Sequence, residues 1–178
     1  SSDVCSSDLG TLINCQFTGV VTGDSEVGGI VGRNESEGTI DHGTARAIVT
    51  GKSSTGGIAG YNLGAITGCT NVGSINTEYP EASLDTDGFT AKMVDYINNK
   101  MAAADDDATN SVTNVATDTG GIAGRSSGMI LTSVNTGTIG YEHVGYNVGG
   151  IVGRTDGLVS GCVNQGRVLG RKDVGGIA

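Results

Sequence analysis

Apolar positions in this chain come in short bursts fenced by glycine, and the bursts recur. Gly-Gly-Ile-(Val/Ala)-Gly starts at Gly28, Gly56, Gly120 and Gly149, and returns as Gly175-Gly176-Ile177-Ala178. The start-to-start spacings are 28, 64, 29 and 26 residues, so one unit of about 28 repeats and a single interval carries an insertion. Each unit has a further glycine (Gly10, Gly38, Gly64, Gly128, Gly157), with an aliphatic residue two places on. A small residue follows five places after that glycine and a Val or Ile six further on. Three short strand candidates per unit, closed by glycine-assisted corners, predict stacking of each unit on its neighbours. The expected fold is all-β: a right-handed parallel β-solenoid of about five three-strand coils with one inserted helical excursion. Residues 10–76 hold coils 1–3, and residues 120–178 hold coils 4–5 and the start of a sixth.

Residues two apart along a strand share a face. Turning the aliphatic members inward gives three core columns: Ile30, Ile58, Ile122 and Ile151; Ile40, Ile66, Ile130 and Val159; Val49, Ile75, Ile139 and Val168. The same alternation takes Cys15, Cys69 and Cys162, and Asn71, Asn135 and Asn164, into the core. Buried asparagines are tolerable only if satisfied, which stacked amides achieve by bonding one another and the corner backbone. The smaller column, Val31, Ala59, Ala123 and Val152, alternates with the isoleucines and is expected to be half-buried. The cysteines occupy coils 1, 3 and 5 and so lie roughly 9–10 Å apart by strand spacing. A disulfide needs Cα atoms within about 7 Å, so all three are expected to be reduced and buried.

Composition supports thin, close-packed layers: Gly 32, Pro 1 and 4% aromatics do not build an ordinary globular core. No apolar run is long enough to span a bilayer as a helix. The net charge of −9 is uneven, because residues 77–119 carry nine acids against two lysines. Residues 1–9 match no repeat unit, resemble a translated sequencing adapter, and are set aside from fold reasoning. The remaining repeats hold eight acids and eight bases, and a neutral body excludes nucleic acid as a partner. Within the acidic insert, Phe89, Met93, Tyr96, Ile97 and Met101 have helical spacing behind Asp87 as N-cap, which predicts an amphipathic helix over about 88–104. Its apolar stripe would lie on the solenoid flank or on an unseen partner.

Few side chains offer chemistry. Arg33, Tyr61, Arg125 and Arg154 form a column just after the Gly-Gly-Ile strand, where Tyr61 between arginines offers a cation–π contact. Such a stripe suits an anionic or sugar polymer and is the candidate ligand-binding site, against the plainer reading of solvated rungs. Gly124-Arg125-Ser126-Ser127-Gly128 fits Gly-x-Ser-x-Gly, but Ser126 merely fills the corner column of Asn34, Asn62 and Thr155. His42 and His143 sit at unrelated repeat positions, and the cysteines lack metal-ligand spacing, so no metal or cofactor is expected. Asp85, Asp87 and Gly88 have the look of part of a calcium loop, but Val94 stands where the closing glutamate belongs, and helix capping explains Asp87 equally well.

The runs Val27-Gly-Gly-Ile-Val-Gly-Arg-Asn34 and Thr55-Gly-Gly-Ile-Ala-Gly-Tyr-Asn62, with Gly64-Ala-Ile-Thr-Gly-Cys-Thr-Asn71 and Gly157-Leu-Val-Ser-Gly-Cys-Val-Asn164, closely resemble the GLUG repeat. Ile here replaces the Leu of that name. The resemblance covers the chain from Gly10 onward except the insert. It implies a large secreted or cell-surface bacterial protein, adhesin-like or of the kind found in some immunoglobulin-A peptidases, where the repeat is not the catalytic part. The expectation is a non-enzymatic rod segment, extracellular or on the cell surface. Its partners would be a host or cell-wall glycan or protein and further repeats or domains of the same chain. The alternative is a carbohydrate-active β-helix enzyme, a polysaccharide lyase or hydrolase. That needs clustered carboxylates and a base, whereas Asp41, Asp156 and Asp173 fall in different columns.

Overall fold

A computed structural model describes residues 10–78 and 116–178. The described residues fall in the first of the two units into which the chain divides. The helix expected over 88–104, the calcium-like loop and residues 1–9 lie outside the described residues.

The first unit is a parallel β-solenoid of about five turns. Turn one comprises β1 (Thr11–Ile13), β2 (Gln16–Thr22), β3 (Ser25–Gly28) and β4 (Val31–Asn34). Turn two repeats it as β5 (Thr39–Asp41), β6 (Thr44–Thr50), β7 (Ser53–Gly56) and β8 (Ala59–Asn62). Turn three has β9 (Ala65–Thr67), a second side split into β10 (Thr70–Asn71) and β11 (Ser74–Ile75), then β12 (Thr117–Gly120) and β13 (Ala123–Ser126). Turn four is β14 (Met129–Leu131), β15 (Val134–Asn135), β16 (Tyr146–Gly149) and β17 (Val152–Thr155). Turn five is β18 (Leu158–Ser160), β19 (Val163–Asn164) and β20 (Lys172–Gly175). Equivalent strands stack into four sheets. Repetition in one sense makes every strand pair parallel and in register, as in the column Leu12–Ile40–Ile66–Ile130–Val159.

Each of the first four turns therefore has four sides where the repeat pattern suggested three. The Gly-Gly-Ile segment is not one strand: the third side ends at its first glycine and the fourth begins after its isoleucine. At this corner the backbone doubles back so tightly that a Cβ on Gly56 would run into the Ala59 carbonyl and the backbone of Ala123 and Gly124 in the next turn. The corner also corrects the burial of the smaller column. The N–H groups of Ile58 and Ala59 both donate to the Ile122 carbonyl, at 2.9 and 3.0 Å, and strict alternation lapses there. Both side chains then point inward, and Val31, Ala59, Ala123 and Val152 are as buried as the isoleucines of the middle turns. Conversely, Ile30, Val159, Val168, Cys15, Cys162 and Asn164 are half-buried rather than buried, because the first and last turns are covered from one side only.

The third-side strands explain the last glycine of the motif. Glu26, Ser54, Asp118, Asn147 and Asp173 all adopt left-handed backbone, with φ of 53, 49, 53, 53 and 54°. This conformation costs L-residues roughly 1–2 kcal/mol each, and it kinks each strand toward the fourth side of the next turn. There Gly60, Gly124 and Gly153 lie against the kinked backbone, with no room for a Cβ. A second left-handed column, Asn14, His42, Gly68, Thr132 and Gly161, turns the corner between the first and second sides.

Two polar ladders run through the core. Asn71 donates its amide to Asn135, and Asn135 to Asn164, each at 2.8 Å. Each amide also closes a local turn, as where Asn71 accepts from the Gly73 N–H at 3.1 Å. Asn34 likewise donates to Asn62 at 2.8 Å, and Asn62 to the Ser126 hydroxyl at 3.1 Å. The insert is shorter than the expected 77–119: Thr117 and Thr119 pair with Ser53 and Thr55, and the Asn76 amide donates to Thr119 at 3.0 Å.

Candidate functional site

The strands β4, β8, β13 and β17 place Arg33, Tyr61, Arg125 and Arg154 on successive rungs of the fourth sheet. Arg33, Tyr61 and Arg125 are half-buried and Arg154 is exposed, whereas the neighbouring Ala59 and Asn62 are buried. The Arg33 guanidinium lies 5.0 Å from the Tyr61 ring centroid and that of Arg125 lies 5.3 Å from it. Each contact is worth about 0.5–1 kcal/mol at an exposed site. Tyr61 is thus sandwiched by two cations. The stripe is regular, as the sequence indicates, but it presents no open aromatic face on which a sugar ring could stack.

The two ends of the stripe differ electrostatically. Arg33 donates from Nε to Glu35 at 2.6 Å and from a terminal nitrogen to Glu26 at 3.1 Å, and the bond with Glu35 is the main cause of its raised pKa. Near Arg125 and Arg154 stands Asp156, which is fully exposed and makes no ion pair within 4 Å among the described residues. A hydrogen bond from Ser127 is the main reason its carboxyl lies below the usual range, and both arginines act in the same direction. The Tyr61 hydroxyl meets Ser127 Oγ at 3.2 Å. Glu35, just past the end of β4, comes back to Arg33 at the corner that follows the strand. None of Glu26, Glu35 and Asp156 was legible as a neighbour of the stripe, because only the folded corners bring them to it.

The other candidates are not brought together. Ser126 is buried and accepts the Asn62 amide, which makes it a ladder rung on a strand. His42 sits at a left-handed corner with Nδ1 2.9 Å from Asp41, while His143 is exposed beside Glu142. Asp41, Asp156 and Asp173 lie on the first side, at a corner and on the third side, respectively. Cys15, Cys69 and Cys162 are free thiols, and burial pushes the Cys69 thiol up to about 11. Among the described residues no group of His, Cys, Asp or Glu has the geometry to hold a metal ion, and no helix is long and apolar enough to cross a membrane. The chain defines a parallel β-solenoid with an Arg–Tyr stripe on its fourth face. It matches no family profile, no curated protein and no solved structure.

Proposed function

We propose that this chain is a non-catalytic rod segment of a secreted or surface-anchored bacterial protein, spacing other domains and contributing to adhesion. The observation that supports this reading is the unbroken lateral coupling of the turns. The Asn34–Asn62–Ser126, Asn71–Asn135–Asn164 and Arg33–Tyr61–Arg125 ladders each tie three successive rungs together. A one-dimensional stack tied across its interfaces in this way resists bending and suits a spacer. Location and adhesin-like role rest on the resemblance to the GLUG repeat.

With both faces of Tyr61 covered, a ligand would meet the guanidinium edges of Arg125 and Arg154, which suits the carboxylate or sulfate groups of an anionic glycan. Titration with a sulfated polysaccharide should show binding that weakens roughly tenfold in Arg125→Ala and Arg154→Ala, the worth of about one charge-assisted hydrogen bond. The Arg46→Ala control, on the second face, should leave it unchanged. Release of reducing ends or unsaturated sugar products from any polysaccharide offered to the protein would overturn the non-catalytic reading.

A further inference from the structure

The stripe carries a carboxylate clamp in turn one that turn three lacks. Arg33 is held by Glu26 at 3.1 Å and by Glu35 at 2.6 Å. Glu26 belongs to the left-handed column of the third side, where the strand register places Ser54 and then Asp118 in turns two and three. Glu35 is the first residue after β4, and the first residue after β13 is Ser127, which carries no charge. Arg125 occupies the stripe position of Arg33, so the same two places flank it. A Cβ on Gly124 would meet the Asp118 carbonyl, so the third and fourth sides abut beside Arg125.

Asp118 nevertheless leaves Arg125 alone. Among the described residues no carboxylate lies within 4 Å of the Arg125 guanidinium. The backbone does not account for the difference, since φ is 53° at both Glu26 and Asp118. Two features of the side chain do. Asp118 is one methylene shorter than Glu26, and its Oδ1 accepts the Asn147 amide of turn four at 2.7 Å. Arg125 stands on β13, between β8 and β17, so this arrangement is that of an inner rung.

We propose that Asp118 and Asn147 are positioning residues for anion binding at the stripe. Asn147 holds the Asp118 carboxylate aside, and the Arg125 guanidinium is left for a sulfate or carboxylate of the ligand. The clamped Arg33 is the closed form of the same rung. Side-chain length and the amide tether thus decide which rungs of the stripe accept an anion. This inference rests on the reading of the stripe as an anion-binding surface.

Calorimetric titration of the full chain with a sulfated polysaccharide tests it. Asp118→Glu keeps the charge and restores the length found in turn one, where Glu26 shows that glutamate accepts this backbone. It should weaken binding toward the roughly tenfold loss expected of Arg125→Ala. Asp118→Asn removes the charge, keeps an acceptor for Asn147, and should strengthen binding about two- to fivefold, the range of an exposed charge pair. A merely structural role would weaken both variants alike. NMR of the arginine guanidinium groups needs no ligand and should show Arg125 paired with a carboxylate in Asp118→Glu alone, while urea midpoints report that each variant is folded. If the unaltered chain binds no polysaccharide, the anion-binding reading fails, and the NMR spectra still decide whether a longer carboxylate closes Arg125. An Arg125 guanidinium that stays unpaired in Asp118→Glu, or equal affinities for that variant and the unaltered chain, would overturn the proposal.

Discussion

Asn135 is the middle rung of the amide ladder, and its replacement by alanine isolates what that ladder is worth. Its side chain makes four hydrogen bonds: it accepts from Asn71 at 2.8 Å and from the Gly137 N–H at 3.2 Å, and donates to Asn164 at 2.8 Å and to the Gly137 carbonyl at 3.1 Å. Alanine fits the column sterically, since Ala45 occupies it in turn two without disturbing register. The cost is therefore electrostatic. Asn71 keeps the Gly73 carbonyl and Asn164 keeps the Gly166 N–H, so the two ladder bonds cost about 0.5–1.5 kcal/mol each. The buried Gly137 N–H loses its acceptor, which costs about 1–3 kcal/mol more. Asn135→Ala should thus destabilise by about 2–6 kcal/mol. Asn164→Ala, at the half-buried end with no further rung beyond it, should cost only about 1–2 kcal/mol. Urea unfolding monitored by circular dichroism reads both as shifts in midpoint at constant slope. Equal costs for the two variants, or less than about 1 kcal/mol for Asn135→Ala, would refute the ladder as a source of stability.

Three further outcomes can be checked by similar means. The Thr55 hydroxyl is buried without a partner in a column otherwise filled by Val27, Thr119, Val148 and Val174, so Thr55→Val should stabilise by about 0.5–1 kcal/mol in the same urea assay. Gly60→Ala drives a methyl into the Glu26–Val27 backbone and should cost about 1–3 kcal/mol or more. Gly176→Ala, where a Cβ meets nothing within 4 Å, should stay within about 0.5 kcal/mol. The Cys69 thiol titrates at about 11 in the folded chain against 9.0 when unperturbed. Ionisation then favours the unfolded chain, so stability is unaffected below pH 9.0 and falls as pH rises from there toward 11. Cys69→Ser, with Ser133 as precedent in the column, should remove that part of the alkaline slope, and mass spectrometry of alkylated protein should find Cys69 labelled after Cys15 and Cys162.

The candidate site divides along the same line as the fold. That Arg33, Tyr61, Arg125 and Arg154 share a stripe follows from their equal offset behind each Gly-Gly-Ile, because equivalent positions of a parallel repeat must stack. That Tyr61 is closed on both faces, that Arg33 is neutralised by Glu26 and Glu35, and that Asp156 lies within the electrostatic influence of Arg125 and Arg154 all depend on corner geometry, which spacing does not encode. The same holds for the cysteines: their column and their failure to pair were legible, whereas the half-exposure of Cys15 and Cys162 reflects their place in the outer turns.

The sequence by itself determined the repeat length, the parallel register and the inward columns of isoleucine and asparagine. Each is a consequence of periodicity: a residue that recurs at one offset is bonded above and below to its own equivalents, and its face follows from alternation. Only the tertiary structure decided that each of the first four turns has four sides. The break at Gly-Gly-Ile is made by contacts between turns, in which two N–H groups share the Ile122 carbonyl and the kinked backbone at Glu26, Ser54 and Asp118 presses on the next turn's fourth side or on its glycine. A left-handed Glu, Ser or Asp is disfavoured locally and is held by the neighbouring turn that it packs against, so no window of sequence shorter than the stack reveals it.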